Sequence, residues 1–250
     1  MRVYGVAKLT GDSRLQSDVL EDLSDAHRYR RWLADLARPH LGPDPIEIGS
    51  GTGDYALEWA DDVDTLTATE ADESRYAALS ARFADHPVIR PRYLMLPADE
   101  VPPADEPRAS HSAAVAYNVL EHIPDHEEAL RGMAALVRPG GKIILIVPAF
   151  PSAMSRFDIA IGHQRRYTLA SMAAALAGVG LGVEELRYVN PVGLISWYLT
   201  VKALHITPRN GPLLRLYDRA VVPLSRRLPA PFGQSVFAVA TTSPDRRRRD

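Results

Sequence analysis

One stretch constrains the fold of this 250-residue chain more than any other: Pro45-Ile-Glu-Ile-Gly-Ser-Gly-Thr-Gly-Asp-Tyr55. It reads as a short buried strand ending at Ile48, a glycine turn, and a helix opening near Asp54. Gly49, Gly51 and Gly53 alternate, removing each side chain where the backbone turns. Glycine there lets a ligand touch the main chain and permits angles that other residues avoid. The helix that follows offers unpaired N–H groups at its start. Glu47 lies inside the apolar strand, where a carboxylate is costly without a partner.

Two ligand types compete for such a turn. A dinucleotide site is written G-x-G-x-x-G. Counted from Gly49, its third glycine falls on Asp54; counted from Gly51, it falls on Ala56, which the pattern tolerates. A pyrophosphate is disfavoured beside Glu47 and Asp54, whereas a cationic ligand is not.

Around the turn the chain alternates strands and helices. Tyr29, Trp32, Leu33, Leu36 and Ala37 recur at helical spacing, predicting a helix over 22–41 that Gly42-Pro43 ends. Its Tyr29 and Trp32 are either core residues or an aromatic cover for a pocket. A helix is expected over 55–60, a strand over 65–70, a helix over 73–84 and a strand over 92–96. A polar loop, 97–102, leads to a strand over 112–117 and a helix over 127–137. Arg138-Pro-Gly-Gly-Lys142 reads as a tight turn before the unbroken apolar run Ile143–Val147, the pattern of a strand covered on both faces. Gly141-Lys142 is not a phosphate loop, because the required earlier glycine is Leu136. Thr168 caps a helix over 169–177, and a strand follows over 183–189. Residues 191–233 form an insertion with two helices, near 193–204 and 213–224, whose apolar faces suit a lid, a dimer face or a peripheral membrane contact. A last strand spans 235–241. Regular alternation implies an α/β fold, a mostly parallel sheet with helices on both faces.

Candidate chemistry gathers at the strand ends. Glu70 closes its strand where an acid can accept both hydroxyls of a ribose; Asp72 suits a helix N-cap. Asn118 falls at the carboxyl end of the fourth strand, the edge where open α/β sheets bind ligands. Glu121 and His122 follow in the same loop. His122 and His126 have a metal-like spacing, but Pro124 interrupts any helix between them and no third ligand is evident, so no metal is expected. His163, Arg165, Arg166 and Tyr167 form a polar cluster suited to an anion, a phenol or a carboxylate, with His163 a candidate general base. The alternative is that both arginines brace the loop against acids such as Asp158 or Glu121.

Composition narrows the classes. With 46% hydrophobic and 24% charged residues the chain is globular, and a net charge of -2 gives no general affinity for nucleic acid or anionic membranes. The absence of cysteine removes disulfides, thiolate metal sites and cysteine nucleophiles. No secretory signal and no run of ~20 apolar residues is present, which reads as a soluble, cytoplasmic protein. Arg246–Arg249 reads as a solvated, disordered tail.

The pattern E-x-G-x-G-x-G at Glu47–Gly53, the segment Asn118-Val-Leu-Glu-His122, the L-x-P-G-G-like turn at 138–141 and Gly162-His-Gln-Arg-Arg-Tyr-Thr168 together resemble class I S-adenosylmethionine-dependent methyltransferases, in the small-molecule subset with NVLEH and GHxRRYT segments. The resemblance covers about residues 40–240. It implies a Rossmann-like seven-stranded sheet with an antiparallel last strand, an N-terminal helical lead (1–42), a cofactor-binding core (43–190) and a helical lid (191–233) before the last strand (234–242), all in a single domain. It implies S-adenosyl-L-methionine as cofactor, held by Glu47, Gly49, Ser50, Gly51, Gly53, Glu70, Ala71, Asp99, Asn118 and Val119, with Asp99 facing the adenine. Transfer to a small-molecule, natural-product-like acceptor would use His163, His122 or Glu121. Tyr29, Trp32, Arg165, Arg166, Tyr167, Asn190 and Trp197 would bind that acceptor. Two other readings stand beside it: a nicotinamide-dependent oxidoreductase, and a non-catalytic methyltransferase-like scaffold, which also accommodates a homodimer.

Overall fold

The computed structural model describes residues 26–97, 109–205, 210–228 and 231–242. Asp99, residues 1–25 of the expected helical lead and the basic tail lie outside the described residues.

Seven strands form one sheet in the order β3-β2-β1-β4-β5-β7-β6. They are β1 (Ile46–Ile48), β2 (Leu66–Glu70), β3 (Ile89–Tyr93), β4 (His111–Tyr117), β5 (Val137–Pro148), β6 (Gly182–Val189) and β7 (Ser235–Thr241). The pairs from β3 through β5 are parallel, and β7 runs antiparallel between β5 and β6. The expected sheet and its reversed last strand are both present. Strand order changes direction between β1 and β4, so the carboxyl ends of these two neighbours frame the crevice where such sheets bind ligands.

Alternation along the strands builds two cores. Ile143, Leu145 and Val147 point to one face, and Ile144 and Ile146 to the other. Phe237 and Val239 likewise oppose Val236 and Ala238. The first face is covered by α4 (His126–Leu136) and α6 (Leu169–Gly178). The second is covered by α1 (His27–Ala37), α2 (Asp54–Trp59) and α3 (Glu73–Arg82), where Leu33, Trp59 and Leu79 are buried. A double covering of this kind is why the central strands carry apolar residues at consecutive positions.

Two local expectations need correction. The third strand is Ile89–Tyr93 rather than 92–96: Leu66 pairs with Ile89 and Glu70 with Tyr93, so the ladder stops where β2 stops. Leu94 and Leu96 are buried beyond it as loop residues, which mimicked the strand period. As an edge strand, β3 tolerates Pro91. Next, the turn at 138–142 belongs to β5 as a bulge. The register passes from His111–Val137 to Ala113–Lys142, and Gly140 takes φ +79°. The two expected helices of the insertion are present, each passing through a π-helical stretch. α7 (Pro191–Trp197) runs into a π-helical stretch, Tyr198–Ala203; α8 (Pro212–Leu216) passes through another, Tyr217–Val221, into α9 (Val222–Arg227).

The insertion is fastened to the rest of the protein. The N-cap of α1 is Ala26, which has no side chain to offer the helix start. Asp218 fills that role from the insertion, its carboxylate accepting from the N–H groups of Arg28 (3.0 Å) and Tyr29 (2.8 Å). Asn190, at the end of β6, joins the two as well. Its amide donates to Gln234 (2.8 Å) and its carbonyl accepts from the Gly193 N–H (3.0 Å) and the Ser225 hydroxyl (2.9 Å). Ile195, Leu199, Leu216 and Leu224 stay exposed on the insertion. No helix among the described residues is long and apolar enough to cross a membrane.

Candidate active site

Four chain exits crowd the carboxyl edge of the sheet, and each turns through a positive φ: Gly49 after β1 (+70°), Asn118 after β4 (+54°), Phe150 after β5 (+59°) and Asn190 after β6 (+62°). Residues other than glycine are uncommon there and cluster at functional edges.

The glycine turn is built for close approach. Gly49, Gly51 and Gly53 all have positive φ. A Cβ on Gly49 would lie 2.7 Å from Val119 Cγ2, so the turns after β1 and β4 touch directly. A Cβ on Gly53 would strike the Phe83 ring at 2.3 Å. The turn is tied inward by Ser50 N–H to the Thr69 carbonyl (2.6 Å). Asp54, at the start of α2, is gripped by Arg30 (3.2 Å) and Arg82 (2.8 Å), which draws α1 and α3 around the turn.

Two carboxylates flank this turn in different states. Glu70 is 5% exposed and heavily used. Its Oε2 accepts from Gly51 N–H (3.0 Å); its Oε1 accepts from the N–H groups of Ala71 and Asp72 (2.9 Å each) and faces Arg75 (3.3 Å). Glu47 is 3% exposed, and its Oε2 makes no hydrogen bond; nor does the buried Ser50 Oγ. Burial, only partly offset by the neighbouring Ser50 and reinforced by the carboxylates of Asp54 and Glu70, pushes Glu47 up to about 7. Asp72 caps α3, accepting from the N–H groups of Ser74 and Arg75.

On the other side of the crevice, the loop after β4 meets the segment after β5. The short helix α5 (Arg156–Ala160) starts with a capping box in which Ser155 and Asp158 bond reciprocally. Asp158 is fully buried and saturated. It accepts from His163 Nδ1 (2.9 Å), from Arg166 Nη2 (2.7 Å) and from the N–H and hydroxyl of Ser155 (2.7 Å each). Burial alone would raise this acid, but His163, Arg166 and Ser155 hold it down to about 2.

His163 Nε2 faces Glu121 Oε1 at 3.8 Å, beyond hydrogen-bond range. Glu121 is completely buried, and neither of its oxygens has a hydrogen-bond partner. Burial, only partly offset by His163, pushes it up to about 7. The His122 ring stands edge-on to His163, with centroids 4.7 Å apart. Burial and the nearby His163 and Arg75 lower His122 to about 3, so its imidazole is neutral.

The structure brings Glu121, His122 and His163 together, while His126 is turned away to the Tyr167 hydroxyl (3.1 Å). The arginines are committed within the protein. Arg166 bonds Asp158 and the Ala149 carbonyl (3.1 Å), and its guanidinium lies 4.7 Å from the centre of the Trp197 ring. Arg165 donates to the carbonyls of Ile123 and Pro124. Trp197 donates to the Ala153 carbonyl (3.0 Å). Tyr29 stands edge-on to Trp32 with ring centroids 6.1 Å apart, and Trp32 lines a cleft of about 230 Å³ with Asp35, Arg187, Asn190 and Arg226. Sequence reasoning missed Asp158 as the organiser of His163 and Asp218 as the cap of α1. Ser155 with an acid three residues on was the one local signal for the first; nothing local points to the second.

Residues 46–145 match a family model described as a methyltransferase domain. The chain is 27% identical over 179 residues to an uncharacterized methyltransferase of Mycobacterium bovis, covering 71% of this chain and 84% of that protein. It is 24% identical over 229 residues to a highly reducing polyketide synthase of Gibberella zeae, and spans 87% of this chain but 8% of that protein's length. A solved geranyl diphosphate methyltransferase in complex with SAM shares the fold at TM-score 0.61 and 12% identity, over 96% of this chain and 99% of that one. Residues 46–145 thus resemble a methyltransferase domain, and the fold is one that solved methyltransferases share.

Proposed function

We propose that this chain is an S-adenosylmethionine-dependent methyltransferase acting on a small-molecule acceptor. Glu47 carries the reading: it is a buried carboxylate at the end of β1 with an oxygen that makes no hydrogen bond, beside a turn whose glycines leave the main chain bare. A buried anion without a partner calls for a cation or a proton. An amino-acid-like cofactor end brings an ammonium group and fits; an anionic pyrophosphate does not.

In this reading Glu47 and Ser50 receive the cofactor's ammonium end, and Gly49, Gly51, Gly53, Asn118 and Val119 form the bare wall beside it. Glu70 and Ala71 face the ribose, because Glu70 Oε2 accepts one bond and keeps a lone pair for a hydroxyl. When bound, the cofactor supplies an electrophilic methyl group on its sulfonium. The protein then has to orient the acceptor and keep water away. The acceptor side is Glu121, His122 and His163. Asp158 fixes His163 through Nδ1, so Nε2 is the atom that meets the acceptor and can take a proton from an oxygen nucleophile. The 191–233 insertion, with Tyr29 and Trp32, serves as the lid over the acceptor. Similarity to a polyketide synthase supports a natural-product acceptor, and the chain's net charge of -2 argues against nucleic acid.

Calorimetric titration with S-adenosylmethionine, S-adenosylhomocysteine and NADPH tests this. Micromolar binding of both adenosyl ligands is expected, with loss in Gly51→Val, which puts a branched residue at φ +57°. Binding of NADPH alone would overturn the reading in favour of an oxidoreductase. Silence from all three would favour a non-catalytic scaffold.

A further inference from the structure

The geometry points to a divalent transition-metal site formed by Glu121, His122 and His163. The ligand-capable atoms of these three residues all lie within 4.8 Å of one another. Ligands bonded at about 2.0–2.2 Å around one ion sit roughly 3.4 Å apart, so the cluster closes onto an ion with shifts of about an ångström.

The hydrogen bonding shows what is missing at the centre. Asp158 accepts from His163 Nδ1, so in the neutral ring, the form that binds a metal, the Nδ1 atom carries the proton and Nε2 presents a lone pair. Nε2 faces a carboxylate oxygen of Glu121 at 3.8 Å. Two acceptors therefore point at each other across a gap too long for a hydrogen bond, and Glu121 is completely buried with both oxygens unpartnered. A cation between them satisfies all of these groups at once. The third group is in register, since the His122 ring lies 4.7 Å from that of His163, centroid to centroid.

The surroundings are those of a metal centre. Histidine ligands are commonly oriented by a carboxylate on the far ring nitrogen. Asp158 does this for His163, and it is in turn locked by Arg166 and by the Ser155 capping box. His122 lies against the carbonyls of Ile161 and Gly162. Two imidazoles and one carboxylate suit zinc, cobalt, nickel or iron(II) better than magnesium or calcium, which prefer oxygen alone. Three protein ligands leave open positions for an oxygen of the acceptor, such as a hydroxyl or a carboxylate. That last role rests on the proposed methyl transfer and puts the ion, in place of a free His163 Nε2, against the acceptor oxygen; the metal site itself does not rest on it.

Titration of the untagged, full-length protein with cobalt(II) chloride, followed by its visible d–d band and by equilibrium dialysis, tests the site. One ion per chain is expected at micromolar affinity or tighter. Glu121→Gln and His163→Ala should each weaken binding by more than about tenfold and alter the band, as loss of a metal's surroundings does. Glu121→Gln removes a buried charge while keeping the side chain's shape, so it is expected to stay folded by circular dichroism. His126→Gln should leave cobalt affinity unchanged. The site is overturned if the wild type binds no cobalt, if it binds only magnesium in a parallel titration, or if the Glu121 and His163 variants keep full affinity. S-adenosylmethionine titrated into the same samples separates the two readings. Cobalt binding without cofactor binding overturns the cofactor assignment alone, and cofactor binding without cobalt removes the metal site alone.

Discussion

The two sides of the crevice solve the same electrostatic problem in parallel. Beside β1, Glu70 is saturated by main-chain N–H groups and Arg75, while Glu47 has an oxygen with no hydrogen bond. Beside β4 and β5, Asp158 is saturated by Ser155, His163 and Arg166, while Glu121 has two. The saturated acids hold the backbone: Glu70 shapes the glycine turn and Asp158 shapes the 155–167 segment. The unsaturated ones carry a desolvation cost that only a ligand or a proton removes. The difference within each pair separates architecture from chemistry more sharply than residue type does, since all four are buried carboxylates.

The comparison breaks first at Asp158. If this acid is a brace, Asp158→Asn leaves a buried Arg166 without its counter-charge and should lower stability by about 3–5 kcal/mol, read from a denaturant midpoint. A loss under about 1 kcal/mol would place Asp158 among the ligand-binding acids instead.

Glu47→Gln should do the reverse. It removes a charge the fold does not use, so the protein stays folded, while S-adenosylmethionine affinity drops by roughly thirtyfold or more, the usual penalty of about 2–5 kcal/mol for breaking a buried charged pair. Unchanged affinity in the calorimeter would show that Glu47 does not face the cofactor.

The same variant has a pH signature. In the unfolded chain Glu47 ionises near 4.5, but in the cofactor-free fold it holds its proton to about 7. The folded state therefore binds more protons in that window. Its stability from this group is intact below 4.5, declines as pH rises to about 7 and stays reduced above. At about 1.4 kcal/mol per unit, the decline is about 3 kcal/mol. The facing groups are Asp54, Glu70, Tyr55 and Tyr117, none of which changes in Glu47→Gln. The gap between variant and wild-type stability should thus open between pH 5 and pH 8, in the variant's favour. Parallel curves would rule out a strained Glu47.

Smaller effects sharpen the rule for saturated acids. Asp218→Ala removes the cap of α1 and should cost about 0.5–2 kcal/mol, seen as a lower melting temperature. At the bottom of the scale, Arg131 pairs with Glu127 and Glu128 on the exposed face of α4, and Arg131→Ala should leave the melting temperature unchanged.

What the sequence determined is what is local. The glycine turn, the end of β2 at Glu70, the loop from Asn118 to His122 and the doubly covered run Ile143–Val147 each announce themselves within a few residues. Backbone freedom, period-2 alternation and capping act over that distance. One element boundary failed where burial continued past the hydrogen-bonded ladder, at Leu94 and Leu96. What the tertiary structure decided is which charges meet. His163 reaches Glu121 and Asp158 because the strand order sets β4 beside β5, so the exits of both strands share one edge. Arg165 and Arg166 read equally well in the sequence as ligand-binding residues or as braces, and only folding brings Ile123, Pro124, Ala149 and Asp158 to them as acceptors. Asp218 caps a helix 189 residues away. Partners of a side chain far along the chain leave no period or spacing behind. Whether a buried carboxylate is a brace or a binding group depends on how many donors folding brings to it, and that number exists only in three dimensions.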